Sequence, residues 1–152
     1  EMDALAKKGD PDAIVFPSAA IAGDTLDMSF SGLKTAAINL LHRHEQRGCA
    51  VDRELLAARY TYEAVEAVAK QIGEALLRNP ECDLVMAGGV AANSHIRGAL
   101  ETLCKSRGVE FCRPSLKLCS DNAAMVAAEG YFEYLAGNFA NTSLNASACD
   151  EM

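Results

Sequence analysis

The sequence lacks the features that mark membrane and secreted proteins. It has no apolar run long enough to span a bilayer, and it shows no secretory signal. Its six cysteines include no pair at the two-residue spacing of zinc and redox motifs. We therefore expect free thiols in a reducing compartment, which favours a cytoplasmic protein with no membrane partner.

Positive charge is also scarce. The 152 residues carry 21 acidic and 14 basic side chains, which gives a net charge of −7. This balance argues against a domain that binds nucleic acid through bulk positive charge. Half of the residues are apolar, which is enough for the core of about one domain.

Hydrophobic periodicity predicts a helix-rich α/β chain. Strands over residues 84–87 and 109–112 are separated by one helix, and that spacing predicts a crossover unit with a parallel strand pair. The helices are expected over residues 31–45, 52–78, 92–106 and 120–136, with Asp52 capping the second and Ser120 the fourth. The segments expected outside these elements are a short strand or extended stretch over residues 12–17, a loop over 18–27 and a frayed tail over 138–152.

Two adjacent glycines follow the first of the paired strands. In α/β proteins, ligands bind beyond the carboxyl ends of parallel strands, and Gly88 and Gly89 occupy that place. A missing Cβ lets a ligand approach the main chain, and the next helix would offer free N–H groups to a phosphate. The Asn93 amide suits a ribose or adenine edge. The alternative is a plain tight turn with Asn93 as a helix cap.

The stretch "LCSDNAAM" places Asp121 at the start of the last helix. An acid there favours the helix dipole, and this is the simpler interpretation. The functional interpretation is a carboxylate that holds a metal. One carboxylate does not make a metal site, and the three histidines form no His-x-x-x-His pair.

Two short patterns match the serine acyl-enzymes of the penicillin-binding class. Ser31 and Lys34 fit S-x-x-K, and residues 120–122 spell S-D-N. That class also needs a K-T-G after the S-D-N, but the last lysine is Lys117. We therefore treat the match as coincidence and expect Ser31 to cap a helix.

Three motifs taken together resemble one family. They are "DMSFSGLKTA" (residues 27–36), "VMAGGVAANSHIR" (85–97) and "CSDNAAMVA" (119–127). They are similar to the motifs of the tRNA threonylcarbamoyladenosine transferase family, called TsaD in bacteria. "FSGLKTA" looks like the bacterial branch, and the resemblance extends to about Leu135.

The resemblance implies an actin-like fold of the sugar-kinase and Hsp70 type, with two lobes around a nucleotide cleft. Residues 1–137 would be the C-terminal lobe. The implied reaction moves a threonylcarbamoyl group from threonylcarbamoyl-adenylate to the exocyclic amine of an adenosine next to the tRNA anticodon. A divalent metal, iron or zinc, would help to polarise the donor.

Site residues follow from the resemblance by motif. Asn93 would bind the adenylate, Gly88 and Gly89 would let its adenosine lie against the backbone, and Asp121 would be a metal ligand. The resemblance gives no certain catalytic role to the serines and the lysine of "SFSGLKT", which are Ser29, Ser31 and Lys34.

The family's His-x-x-x-His metal ligands, its phosphate loop and its ribose-binding acid belong to the N-terminal half, and none of them is in this sequence. The chain therefore resembles the C-terminal half alone, and we expect it to be inactive by itself. The implied partners are tRNA, a TsaB-like paralogue and a TsaE-like ATPase. Two alternatives remain open, namely an ATPase or kinase lobe of the same fold and a non-catalytic, paralogue-like interaction module.

Overall fold

The computed structural model describes residues 2–16 and 25–145 of the chain. This part is rich in helix and contains a two-stranded sheet. None of its helices is both long enough and apolar enough to cross a membrane. The elements follow in the order α1 (Met2–Ala6), α2 (Ser31–Gln46), α3 (Arg53–Arg78), β1 (Leu84–Val85), α4 (Ser94–Arg107), β2 (Phe111–Cys112) and α5 (Ala123–Ala136).

The longest helix, α3, lies at the centre of the packing. Asp52 caps it as the sequence predicts, because its carboxylate accepts hydrogen bonds from the backbone N–H groups of Glu54 and Leu55 at 2.9 and 3.1 Å. Helices α1, α2 and α4 all pack against α3. The buried apolar side chains on α2, α3 and α4 are Leu33, Ala57, Ala58, Leu76, Ile96, Leu100 and Cys104.

The two strands pair in parallel, with Leu84 opposite Phe111. The backbone N–H of Leu84 donates to the Glu110 carbonyl at 3.0 Å, and that of Met86 donates to the Cys112 carbonyl at 2.9 Å. Helix α4 connects the strands and packs against β2. The predicted parallel pair with its connecting helix is therefore confirmed, although each strand is only two residues long.

The stretch over residues 12–17, predicted to be a short strand or an extended segment, forms no strand in the part that the structure describes, although Ile14 is extended. Pro11–Ala13 forms a 3-10 turn, and the Asp10 carboxylate accepts a hydrogen bond from the Asp12 N–H at 3.0 Å. Proline fixes its own φ and lacks an N–H, so it suits the first position of a helical turn. Residues 17–24, which include the end of that stretch and most of the predicted loop, lie outside the described residues.

Ser120 does not cap α5, contrary to the prediction. Asn122 takes this role, since its side-chain oxygen accepts a hydrogen bond from the Met125 N–H at 3.0 Å. The amide of Asn122 also donates to the Ser120 carbonyl at 2.9 Å, which fixes the turn before the helix. Serine and asparagine cap helices about equally well, so the sequence alone could not choose between them. Ser31 likewise is not a cap but the first residue of α2.

Candidate functional site

The turn after β1 is built around Gly88. This residue has φ +83° and ψ 177°, a conformation that is almost exclusive to glycine. A short 3-10 turn over Gly89–Ala92 follows, and the Ala91 side chain of this turn is fully buried. The backbone conformation at position 88 therefore requires glycine. Position 89 does not, because the φ of Gly89 is not positive.

Asn93 caps α4. Its side-chain oxygen accepts hydrogen bonds from the backbone N–H groups of His95 at 2.9 Å and Ile96 at 3.1 Å. Helix capping is the simpler of the two roles predicted for Asn93, and it uses the oxygen of the side-chain amide. The adenylate-binding role stays a prediction.

The start of α4 does not offer the free N–H groups expected from the sequence. The Ser94 N–H donates to the Asp3 carboxylate at 3.0 Å, and the Arg97 N–H donates to the Asn93 carbonyl at 3.1 Å. The Asn93 side chain accepts from the two N–H groups between them. All four N–H groups of the first turn are therefore used inside the protein, and the nearby Asp3 charge would repel a phosphate. The expectation of free N–H groups at this helix end is therefore wrong.

The connection from β2 to α5 forms the second half of the site. It contains Pro114, a 3-10 turn over Leu116–Leu118 and the buried Cys119, whose thiol lies 3.5 Å from the Ser115 carbonyl oxygen. Asp121 follows, and its side chain is exposed just before the start of α5. This connection holds Asp121 at the edge of the sheet where both strands end.

Both connections face one open cavity of about 610 Å³. Gly88 and Asp121 both line it, so the structure brings two of the predicted site residues together. Gly89 and Asn93 are not among the lining residues. Asn93 lies instead against a separate cavity of about 100 Å³, together with Thr61 and Ile96. The cavity wall consists of Val85, Met86, Ala87, Gly88, Cys112, Arg113, Pro114, Leu118, Cys119, Ser120, Asp121, Asn122, Ala124 and Met125.

Arg113 is a cavity residue that the sequence analysis missed as a candidate. It follows β2 directly, at the same sheet edge as Gly88. A guanidinium presents a fork of donors that suits carboxylates and phosphates. Arg113 could have been predicted from the sequence, because a charged residue immediately after a parallel strand lies at the ligand-binding edge of the sheet.

The cavity walls supply little for a metal. Asp121 is the one acidic residue among them, and the thiols of Cys112 and Cys119 are the other candidate ligands. Desolvation and the nearby Glu110 carboxylate raise the pKa of the Cys112 thiol, so the free thiol is protonated. Within residues 2–16 and 25–145, no three His, Cys, Asp or Glu side chains lie together as a metal site. The cavity therefore offers a single carboxylate to a metal.

A family model matches residues 1–128 of the chain. It describes TsaD, the tRNA N6-adenosine threonylcarbamoyltransferase. This match covers all three sequence motifs and the full connection from β2 to Asp121.

Individual relatives agree with the family model. Proteins named tRNA N6-adenosine threonylcarbamoyltransferase from Clostridium botulinum (strain 657 / Type Ba4) and from Moorella thermoacetica are 38% and 40% identical to the chain over 146 residues. A protein of the same name from Clostridium perfringens is 39% identical. Each match covers 96% of this chain but 43% of the relative, in its C-terminal part. The chain thus spans less than half the length of these curated relatives.

Proposed function

The chain belongs to the TsaD family, and from this membership we propose that it is the C-terminal part of a tRNA threonylcarbamoyltransferase. The reaction would transfer a threonylcarbamoyl group from threonylcarbamoyl-adenylate to the exocyclic amine of an adenosine beside the tRNA anticodon. The observation that carries the proposal is the shared cavity of Gly88 and Asp121. Two separate family motifs supply these residues, and they meet where parallel strands end.

Residues 1–137 would form one lobe of an actin-like fold. A parallel strand pair joined by a helix is the kind of unit from which such lobes are built, and the described residues contain it. The lobe would supply one wall of a nucleotide cleft. The opposite wall would come from the N-terminal part that the relatives have in addition.

The cavity residues suit the donor substrate. The Gly88 turn leaves open space where a Cβ would stand, so a flat adenosine could approach the main chain there. Arg113 would offer its guanidinium to the phosphate of the adenylate, since the start of α4 is closed to anions. Gly89 and Asn93 would act beside the cavity, because neither lines it.

Asp121 would be one ligand of an iron or zinc ion. Its carboxylate lines the cavity, and the described residues contain no group of three metal-ligating side chains. The remaining ligands, expected to be histidines, would come from the N-terminal part. Such a metal would supply Lewis-acid polarisation of the carbamoyl donor.

The proposed setting is a cytoplasmic assembly. The net charge of −7 gives this chain little attraction for tRNA on its own. A TsaB-like paralogue and a TsaE-like ATPase would then contribute to holding the tRNA.

The proposal is tested by joining the chain to the N-terminal part of the Moorella thermoacetica relative. Nucleosides from tRNA treated with this chimera, a TsaB-like protein, a TsaE-like ATPase and threonylcarbamoyl-adenylate are analysed by mass spectrometry. We expect threonylcarbamoyladenosine from the chimera and none from the 152-residue chain alone. A folded chimera that hydrolyses ATP without modifying tRNA would instead support a kinase-type or ATPase lobe. One that does neither, yet binds a TsaB-like protein, would support a non-catalytic module.

A further inference from the structure

The first residue of α4 is held by a side chain from a distant part of the chain. Both donors of Ser94, its backbone N–H and its hydroxyl, point to the Asp3 carboxylate on α1, at 3.0 and 2.9 Å. The second carboxylate oxygen lies 3.1 Å from the same hydroxyl. A serine hydroxyl at a helix start commonly bonds to its own local backbone, whereas this one reaches across 91 positions of sequence. We call Asp3 and Ser94 the latch.

The latch adjoins the turn that begins at Gly88. Ser94 follows Asn93, whose backbone N–H donates to the Val90 carbonyl at 2.9 Å. Within the same turn, the Ala91 N–H donates to the Gly88 carbonyl at 3.0 Å. A continuous path of covalent bonds and hydrogen bonds therefore joins the latch to Gly88, which lines the candidate donor cavity.

The sheet holds the other end of this turn. The Met86 N–H donates to the Cys112 carbonyl at 2.9 Å, which fixes the chain just before Gly88. The latch fixes the chain just after the turn. Gly88 has no side chain to pack, so its position depends on the attachments at either side. Loss of the second attachment would therefore move the stretch of backbone that faces the cavity.

We propose that Asp3 and Ser94 are positioning residues of the donor site, which set the affinity for the adenylate by holding the Gly88 turn in place. The proposal rests on the proposed function, in which the adenosine lies against this turn. Neither latch residue lines the cavity, so both act through the backbone of the turn. The negative charge of Asp3 also suits the positive end of the α4 dipole, which strengthens the attachment although 34% of the Asp3 side chain is exposed.

Two variants remove the latch from opposite sides. Asp3→Ala deletes the acceptor. Ser94→Pro deletes both donors and leaves α4 intact, because proline suits the first helical position and Asn93 before it is already extended, with φ −67° and ψ 120°. Asn93 still caps the helix in this variant. Gly9→Ala is the control for general destabilisation, since its clash is with the start of α3 rather than with α4.

Transfer kinetics of the chimera, with the TsaB-like and TsaE-like proteins present, test the proposal. We expect Asp3→Ala and Ser94→Pro each to raise KM for threonylcarbamoyl-adenylate severalfold at an unchanged kcat, because the loss falls on donor binding rather than on the reacting groups. The double variant should match the larger single effect, because both changes remove the same interaction. Asp3→Asn keeps an acceptor oxygen for Ser94 and should restore most of the affinity.

The control separates positioning from stability. Gly9→Ala should lower the melting temperature of the chimera without raising KM. An unchanged KM in both latch variants would overturn the proposal. An equal rise of KM in Gly9→Ala, or additive effects in the double variant, would overturn it as well.

Amide hydrogen exchange in the 152-residue chain measures the positioning without any ligand. The N–H groups of Ala91 and Asn93 are bonded within the turn, so they should exchange faster in Asp3→Ala and Ser94→Pro than in the wild type. Gly9→Ala should leave their exchange unchanged relative to the amides of α3. Wild-type exchange of the turn in both latch variants would contradict the proposal.

Binding of adenosine monophosphate to the chimera separates this outcome from that of the proposed function. This probe carries the adenosine and the phosphate of the donor and has no group to transfer. A chimera without transfer whose affinity for the probe falls severalfold in the latch variants would refute the proposed function and support the latch. A chimera that modifies tRNA with one KM in all variants would refute the latch alone.

Discussion

The carboxylate of Asp3 holds the first residue of α4, Ser94, which is 91 residues further along the chain. It accepts hydrogen bonds from the Ser94 backbone N–H at 3.0 Å and from the Ser94 hydroxyl at 2.9 Å. Lys7 forms an ion pair with the same carboxylate at 3.2 Å. The short helix α1 is thereby fastened to the turn that begins at Gly88, and α4 begins at a fixed point beside the candidate site.

We expect Asp3 to make the stability of the chain depend on acidic pH. Partial burial alone would raise the pKa of Asp3, but the hydrogen bonds from Ser94 and the Lys7 ion pair together lower it from 3.8 to about 2. Because the folded pKa lies below the unfolded value, the stabilisation is complete above about pH 4 and is lost as the pH falls towards 2.

Urea unfolding at several pH values measures this dependence. Asp3→Asn should lower the free energy of unfolding at pH 7 and flatten its decline between pH 4 and pH 2, whereas Glu101→Gln, at an exposed acid on α4, should do neither. Identical pH profiles for the wild type and Asp3→Asn would show that the Ser94 contact contributes no stability.

The two glycines of the turn should respond differently to alanine. Gly88→Ala forces a side chain into φ +83°, which costs about 1–3 kcal/mol although nothing lies within 4 Å of the new Cβ. Gly89→Ala meets neither strain nor a clash, so it should change the free energy of unfolding by less than about 0.5 kcal/mol. Chemical denaturation of both variants checks the difference. Equal losses in the free energy of unfolding would show that the positive φ of Gly88 is not what makes glycine necessary in this turn.

Asn93 offers a way to separate its cap from a role in binding. Asn93→Ala should destabilise the chain by about 1 kcal/mol, because the His95 and Ile96 N–H groups lose their acceptor. Asn93→Asp keeps an acceptor at the same place and should preserve stability. If Asn93→Asp nevertheless weakens adenylate binding by the chimera, Asn93 lies close enough to the adenylate for the lost amide donor or the added charge to act on it. If binding and stability both stay intact, Asn93 is a cap alone.

Gly9 should be intolerant of any side chain. A Cβ there would overlap the backbone carbonyl of Glu54 and lie 2.8 Å from the Leu55 nitrogen, at the start of α3. We expect Gly9→Ala to cost about 1–3 kcal/mol through this overpacking. Gly32→Ala, in the first turn of α2 with open space around it, should be neutral or slightly stabilising. A thermal unfolding series that shows no difference between them would contradict the close contact of Gly9 with α3.

Local signals predicted much of the fold. The bounds of α2 and α3 agree with their hydrophobic period to within one residue, and the cap at Asp52 was foreseen because its side chain acts on its own helix. The parallel pair followed from strand spacing alone. The helix α1, however, was not predicted, because five residues carry too little periodicity.

The wrong predictions share a physical cause. Each concerned a feature that depends on contacts between residues distant in sequence or on local backbone angles. The hydrogen bond from the Ser94 N–H to Asp3 joins residues that are 91 positions apart, so the loss of free N–H groups at the start of α4 could not be foreseen from "GGVAANSHIR". The choice of Asn122 over Ser120 depends on the 3-10 turn that precedes them. The meeting of Gly88 with Asp121 was predictable, because both follow parallel strands at one sheet edge. The position of Asn93 outside that cavity was not.

The most direct test of the central claim, that transfer takes place at the cavity shared by Gly88 and Asp121, is the transfer rate of the chimera carrying Asp121→Ala. The matched control is Glu101→Ala, at an exposed acid on α4 outside the cavity. Metal content and threonylcarbamoyladenosine formation are measured on the same samples. We predict that Asp121→Ala lowers both together, with the rate falling by more than about tenfold, while Glu101→Ala leaves both unchanged. Full metal content and full rate in Asp121→Ala would contradict the account and leave Asp121 as an acid at a helix start.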